Sequence, residues 1–132
     1  MRRTLEMLGN SSDTMSKTGD KIKADSYFGY TDGIHSVSVK LNAFVGKIKL
    51  QGTLSLTPES ADWGDVKLIE KASATTGTEI HTFKGNYVYL RAVLDRSGVG
   101  DGSTYQSSYG SISQILLSNY ISIVDQYIII AI

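Results

Sequence analysis

The chain contains no cysteine, so disulfides, zinc–thiolate centres and thiol catalysis are excluded. Small secreted domains are commonly stapled by disulfides, and the lack of them points toward an intracellular assembly compartment. Neither sign of charge is in excess: Lys plus Arg is 13 and Asp plus Glu is 13. Nucleic-acid-binding domains carry a basic surplus that neutralises phosphates, so no nucleic-acid partner is expected. Neutrality also removes a self-repulsion that keeps copies of a protein apart, which suits a subunit that packs against neighbours. Long apolar runs are missing too. Met1-Arg2-Arg3 leads into a mixed segment rather than a signal-peptide core. The apolar C-terminus, Tyr120 to Ile132, is interrupted by Asp125 and Gln126 and falls short of the roughly 20 residues that a membrane span needs. No membrane partner is expected.

What is present is β patterning. Hydrophobic residues make up 41% of the chain and charged residues 20%, values that suit a folded soluble domain. Val37, Val39 and Leu41 alternate with Ser36, Ser38 and Lys40, as in a strand with one wet face. Ile48, Leu50, Leu54 and Leu56 continue the pattern, with Gly52 in register, where a mid-strand glycine signals a bulge or close packing. Pro58, the single proline, ends that run. Val88, Leu90, Ala92 and Leu94 alternate again, leaving Tyr87, Tyr89 and Arg91 on the other face. Tyr27-Phe28-Gly29-Tyr30 reads as a strand leading into an Asp32-Gly33 hairpin turn. Val66 to Glu70 reads as a short strand, Ala72 to Thr78 as a loop, Glu79 to Phe83 as a strand, and Ser111 to Ser118 as another. Seven or eight short strands at this spacing describe an all-β fold, an antiparallel β-sandwich of jelly-roll-like type. The expected organisation is a flexible N-terminal arm over 1–19, a single sandwich domain over 20–118, and an apolar C-terminal segment over 119–132 that contacts other subunits.

Few residues offer chemistry. His35 and His81 are the only two histidines and lack ligand spacing. No Gly-x-Ser-x-Gly elbow exists. Gly98-Val99-Gly100-Asp101-Gly102 has a phosphate-loop look but lacks the Lys-Ser/Thr pair and the following helix. Asp62, Asp95 and Asp101 are candidate calcium ligands without EF-hand spacing. Trp63 reads either as a plug closing the fold or as a sugar-stacking platform. No catalytic residue, metal or cofactor is expected. The candidate interaction surface is Tyr105 and Tyr109, in the irregular segment 96–110, together with Tyr127, Ile128, Ile129, Ile130 and Ile132. The two loop tyrosines offer contact area at low entropic cost, or else anchor the loop on its own domain. The tail is apolar on both faces of a would-be strand and needs cover on both.

Two resemblances add to this. The Asp62-Trp63 turn followed by Asn86-Tyr87-Val88-Tyr89-Leu90-Arg91-Ala92 is similar to discoidin-like and galactose-binding-like β-sandwiches. The runs Gly33 to Val39, Leu41 to Ile48, Ala61-Asp62-Trp63, Thr78-Glu79, Phe83 to Ala92, Asp95-Arg96 and Tyr109 to Leu117 resemble small virion structural proteins of tailed, T4-like phages. The second resemblance implies a virion component of tail, baseplate or head decoration, with other virion proteins and copies of itself as partners. It brings no catalytic residues. The alternative is a glycan-binding module for host-surface adsorption.

Overall fold

The computed structural model describes residues 2–11, 14–29 and 33–120. They form one antiparallel sheet of seven strands: β1 (Arg2–Leu8), β2 (Ser16–Thr18), β3 (Ile22–Lys23), β4 (Ile34–Thr53), β5 (Gly64–Lys84), β6 (Tyr89–Asp95) and β7 (Ser111–Tyr120). The order is β1-β7-β4-β6-β2, with β3 also on β6 and β5 on β4. The fold is all-β and antiparallel, and the sheet is nearly closed into a barrel-like shape.

Strand β4 organises everything else. Its alternation buries Val37, Val39, Leu41, Ile48 and Leu50, as their spacing requires. One edge of β4 pairs with β5 throughout; the other pairs with β7 over Ser36–Asn42 and with β6 over Lys47–Thr53. Between those stretches the strand turns a corner. Ala43 has φ 51 and Gly46 has φ 138, both in the left-handed region, and the β5 register slips on either side of Phe44. Past this corner the two halves of the sheet close on one core, in which Phe44, Leu90, Leu94, Ile112, Ile115 and Leu117 are fully buried.

Several expectations need correction. Residues 1–19 are not simply an arm: β1 pairs with β7 and β2 with β6. The β1–β7 register slips between Glu6 and Leu8, and both Met7 and Leu8 reach the core. A bulge allows this, because two consecutive residues of a regular strand face opposite ways. Leu54 and Leu56, expected in the core, are 71% and 70% exposed. β4 ends at Thr53, where the Thr53 hydroxyl accepts the Ser55 amide at 3.1 Å and starts a turn. The segment Tyr27–Phe28 belongs to a 3-10 turn, Asp25–Phe28, closed by Gly29 at φ 81. The Asp32-Gly33 turn lies partly outside the described residues. The strand–loop–strand expected over 66–83 is one continuous strand of 21 residues. The Asp62-Trp63 turn is present as a 3-10 turn over Ser60–Asp62, where the Asp62 carboxylate accepts the Glu59 amide at 2.8 Å.

Gly52 does mark close packing. A Cβ there would lie 2.7 Å from Cδ1 of Tyr87, and Gly85 is pressed by the same ring. Tyr87, expected to face out or toward a second layer, is clamped between two glycines and packs against the core.

Candidate functional site

The corner of β4 creates an accounting problem. Where β7 and β6 diverge, the backbone carbonyls of the bend lose their ladder partners, and buried carbonyls need donors. Arg96, the first residue after β6, supplies them. Its Nε donates to the Val45 carbonyl at 2.8 Å, Nη1 to Thr14 at 2.8 Å, and Nη2 to Tyr109 and Gly110 at 3.0 and 2.8 Å. The side chain is wholly buried, with its guanidinium 4.9 Å from the Phe44 ring centroid and 5.5 Å from that of Tyr105. Carbonyl dipoles and ring faces answer the charge. Burial lowers the Arg96 pKa, with Tyr105 acting the other way, but a guanidinium remains charged in either case.

β5 follows the same corner. Lys71 and Glu79 sit in one strand, yet their side chains form an ion pair at 2.6 Å. Eight residues of straight strand would separate their Cα atoms by about 26 Å, so the strand folds toward its inner face between them. His81 Nε2 lies 3.2 Å from the other Glu79 carboxylate oxygen. Lys71, and then His81, hold the Glu79 carboxyl below its ordinary range against the opposing effect of burial. Beside this bend is an open cleft of about 360 Å³ lined by Lys47, Glu70, Lys71, Asp95 and Val99. Its charges are already matched in part: Asp95 pairs with Lys49 at 3.1 Å.

Among the described residues β5 pairs with β4 alone, so its second edge carries 21 residues of unpaired backbone. Leu68 and Ile80, on the outer face, are 50% and 73% exposed. An edge of this length with apolar side chains is a template for another chain. The sequence pattern hid it because Ala72 to Thr78 is small and polar; the available signal was the lack of proline anywhere from Gly64 to Lys84.

The residues expected to carry function are distributed differently. Tyr105 and Tyr109 do come together, edge to face with centroids 6.2 Å apart. Both are half-buried, and the Tyr105 hydroxyl donates to the Gly110 carbonyl at 3.1 Å. They anchor their loop around Arg96. Tyr127, Ile128, Ile129, Ile130 and Ile132 lie outside the described residues. Trp63 is half-buried under the Arg91 guanidinium, 4.2 Å from the ring centroid, and Arg91 Nε in turn donates to the Gln51 side chain at 2.9 Å. His35 is buried, with Nε2 3.0 Å from the Gly85 carbonyl and its ring against Phe83.

The three aspartates serve their own turns. Asp101 accepts the amides of Ser103 and Thr104 at 2.9 and 2.8 Å, so a carboxylate already takes amides of this glycine-rich loop. Asp95 accepts the Ser97 amide at 2.9 Å, which together with Lys49 pulls its pKa down to about 2. Among the described residues no three His, Cys, Asp or Glu side chains are grouped to hold a metal ion, and no helix is long and apolar enough to cross a membrane. No family model matches the chain, and no curated protein or solved structure is significantly similar to it.

Proposed function

We propose that this chain is a structural protein of a phage particle, in tail, baseplate or head decoration, that works by protein–protein contact rather than by catalysis. The observation that carries the contact reading is the second edge of β5, 21 residues long and unpaired among the described residues, with Leu68 and Ile80 exposed beside it. A protein that stays soluble covers such an edge or guards it. The inward Lys71–Glu79 pair guards the inner face; on the outer face Lys49, the cross-strand partner of Leu68, is paired with Asp95 within the domain, and Leu68 and Ile80 remain exposed for a neighbour. The virion setting rests on the resemblance of residues 33–118 to phage structural proteins. The glycan alternative draws less support: Tyr105 and Tyr109 are tied into their own domain, and a cation lies over the Trp63 ring.

The test is to purify particles from cells that express the gene in its natural setting and to quantify this chain in them by mass spectrometry. A fixed number of copies per particle, reduced by Ile80→Lys, is the expected result. A chain found only in the soluble fraction would sink the reading.

A further inference from the structure

We infer that two copies of this chain join through their β5 edges, antiparallel, about a two-fold axis at Ala74; this inference rests on the assembly reading of that edge. Three features of β5 share one centre. The strand runs Gly64–Lys84, with Ala74 at its midpoint. Its two exposed large hydrophobic residues, Leu68 and Ile80, each lie six positions from Ala74. The bend is also near the middle: the Lys71–Glu79 ion pair closes across it, and the two register slips flanking Phe44 span Lys71–Gly77, centred on Ala74, a third slip lying between Asp65 and Lys67.

Each feature has a consequence for pairing. Antiparallel pairing centred on a residue keeps both inner faces on one side of the joined sheet, because side chains alternate with period 2. Leu68 of one copy then stands opposite Ile80 of the other, twice, and the exposed apolar area is covered. A bend at the centre is carried onto itself by a two-fold axis normal to the sheet, so two bent edges fit along their length. A bend near either end would force the copies apart.

The inner face fits as well. In this register Lys71 stands opposite Gly77 of the second copy, which has no side chain to clash, and diagonal to that copy's Glu79. Diagonal neighbours are within reach of long side chains, so each Lys71–Glu79 ion pair has a second carboxylate beside it. Lys67 stands opposite His81, and no two carboxylates and no two lysines are directly opposed between Lys67 and His81. The formal net charge of zero adds no long-range repulsion between copies. The contact is isologous and uses up both β5 edges, so it closes at two copies instead of growing into a fibre.

The absence of cysteine makes the test direct. Ala74→Cys should crosslink to a covalent dimer on mild oxidation, because the two substituted positions face each other. Thr78→Cys should not, because in this register it stands opposite Glu70 and its own copy lies eight positions along the edge, beyond the roughly 7 Å Cα spacing that a disulfide spans. Sedimentation equilibrium of the full chain should show a dimer. Leu68→Lys or Ile80→Glu alone should weaken it at least about 10-fold, and the double substitution should restore it, since each lysine would then face a glutamate. A wild-type chain that is monomeric at all concentrations, or a Thr78→Cys variant that crosslinks as readily as Ala74→Cys, would overturn the pairing. The two readings fail separately. If the chain is monomeric but Ile80→Lys is excluded from particles, the edge serves a different subunit and only this pairing falls. If the dimer forms through Ala74 but the chain is absent from particles, the assembly reading falls.

Discussion

Arg96 shows how one side chain can replace a missing strand. Its donors reach four carbonyls drawn from the segments at Thr14, Val45 and Tyr109–Gly110. Arg96→Ala should destabilise the protein by about 3–5 kcal/mol in urea unfolding, because buried acceptors are left unmet. Arg96→Lys should recover little of this: an ammonium has three donors on a flexible stem, where the guanidinium has five in a rigid fork. Asp95 gives a second, pH-dependent test. Its folded pKa, about 2, lies below the ordinary 3.8. A depressed carboxyl pKa contributes stability above the unfolded value and loses it as pH falls through the folded one. Stability should therefore decline between about pH 4 and pH 2, and Asp95→Asn should flatten that decline in acid titrations followed by circular dichroism. Neither role was legible beforehand. Arg96 follows a strand end and precedes a glycine-rich loop, which in sequence reads as surface; only the corner explains its burial.

At the level of elements, the pattern of alternation was readable where one face is apolar and the other polar. β4 and β6 meet that condition, and their inward residues Val37, Val39, Leu41, Ile48, Leu50, Leu90, Ala92 and Leu94 are buried as expected. The pattern misled at Leu54 and Leu56, where alternation continues past the last hydrogen-bonded residue of β4, Thr53. Substitution separates the two groups. Leu90→Ala should cost roughly 2–5 kcal/mol through the cavity it leaves. Leu54→Ser and Leu56→Ser should each stay within about 0.5 kcal/mol of wild type in the same urea titration. β1 escaped notice because its bulge buries neighbouring residues and erases the period. β5 escaped notice in its middle, where Ala72 to Thr78 has no apolar face; it is extended there because β4 offers partners on both sides of the slip. The free edge, the centre of the functional proposal, is thus a property of pairing, and pairing is not written in any one segment.

For the whole molecule, the buried cluster among the described residues runs from Met7 to Leu117. A chain ending after Tyr120 should accordingly keep its β circular dichroism and a cooperative thermal transition. The expected role of the C-terminal segment in subunit contact can then be assayed separately, by the entry of that truncated chain into particles. The Arg96 lock also has a consequence for time rather than for stability. It joins Thr14, Val45 and Gly110, up to 82 residues away along the chain. Contacts between segments so distant must wait for the loops between them to close. The near end of the β4–β5 hairpin, joined across residues 54–63, is expected to form before them. Groups that engage after the rate-limiting step affect mainly the rate of unfolding. In stopped-flow measurements Arg96→Ala should leave the refolding rate nearly unchanged and speed unfolding by roughly 150-fold to several thousand-fold. The lifetime of the folded state would then be set by a side chain that is wholly buried.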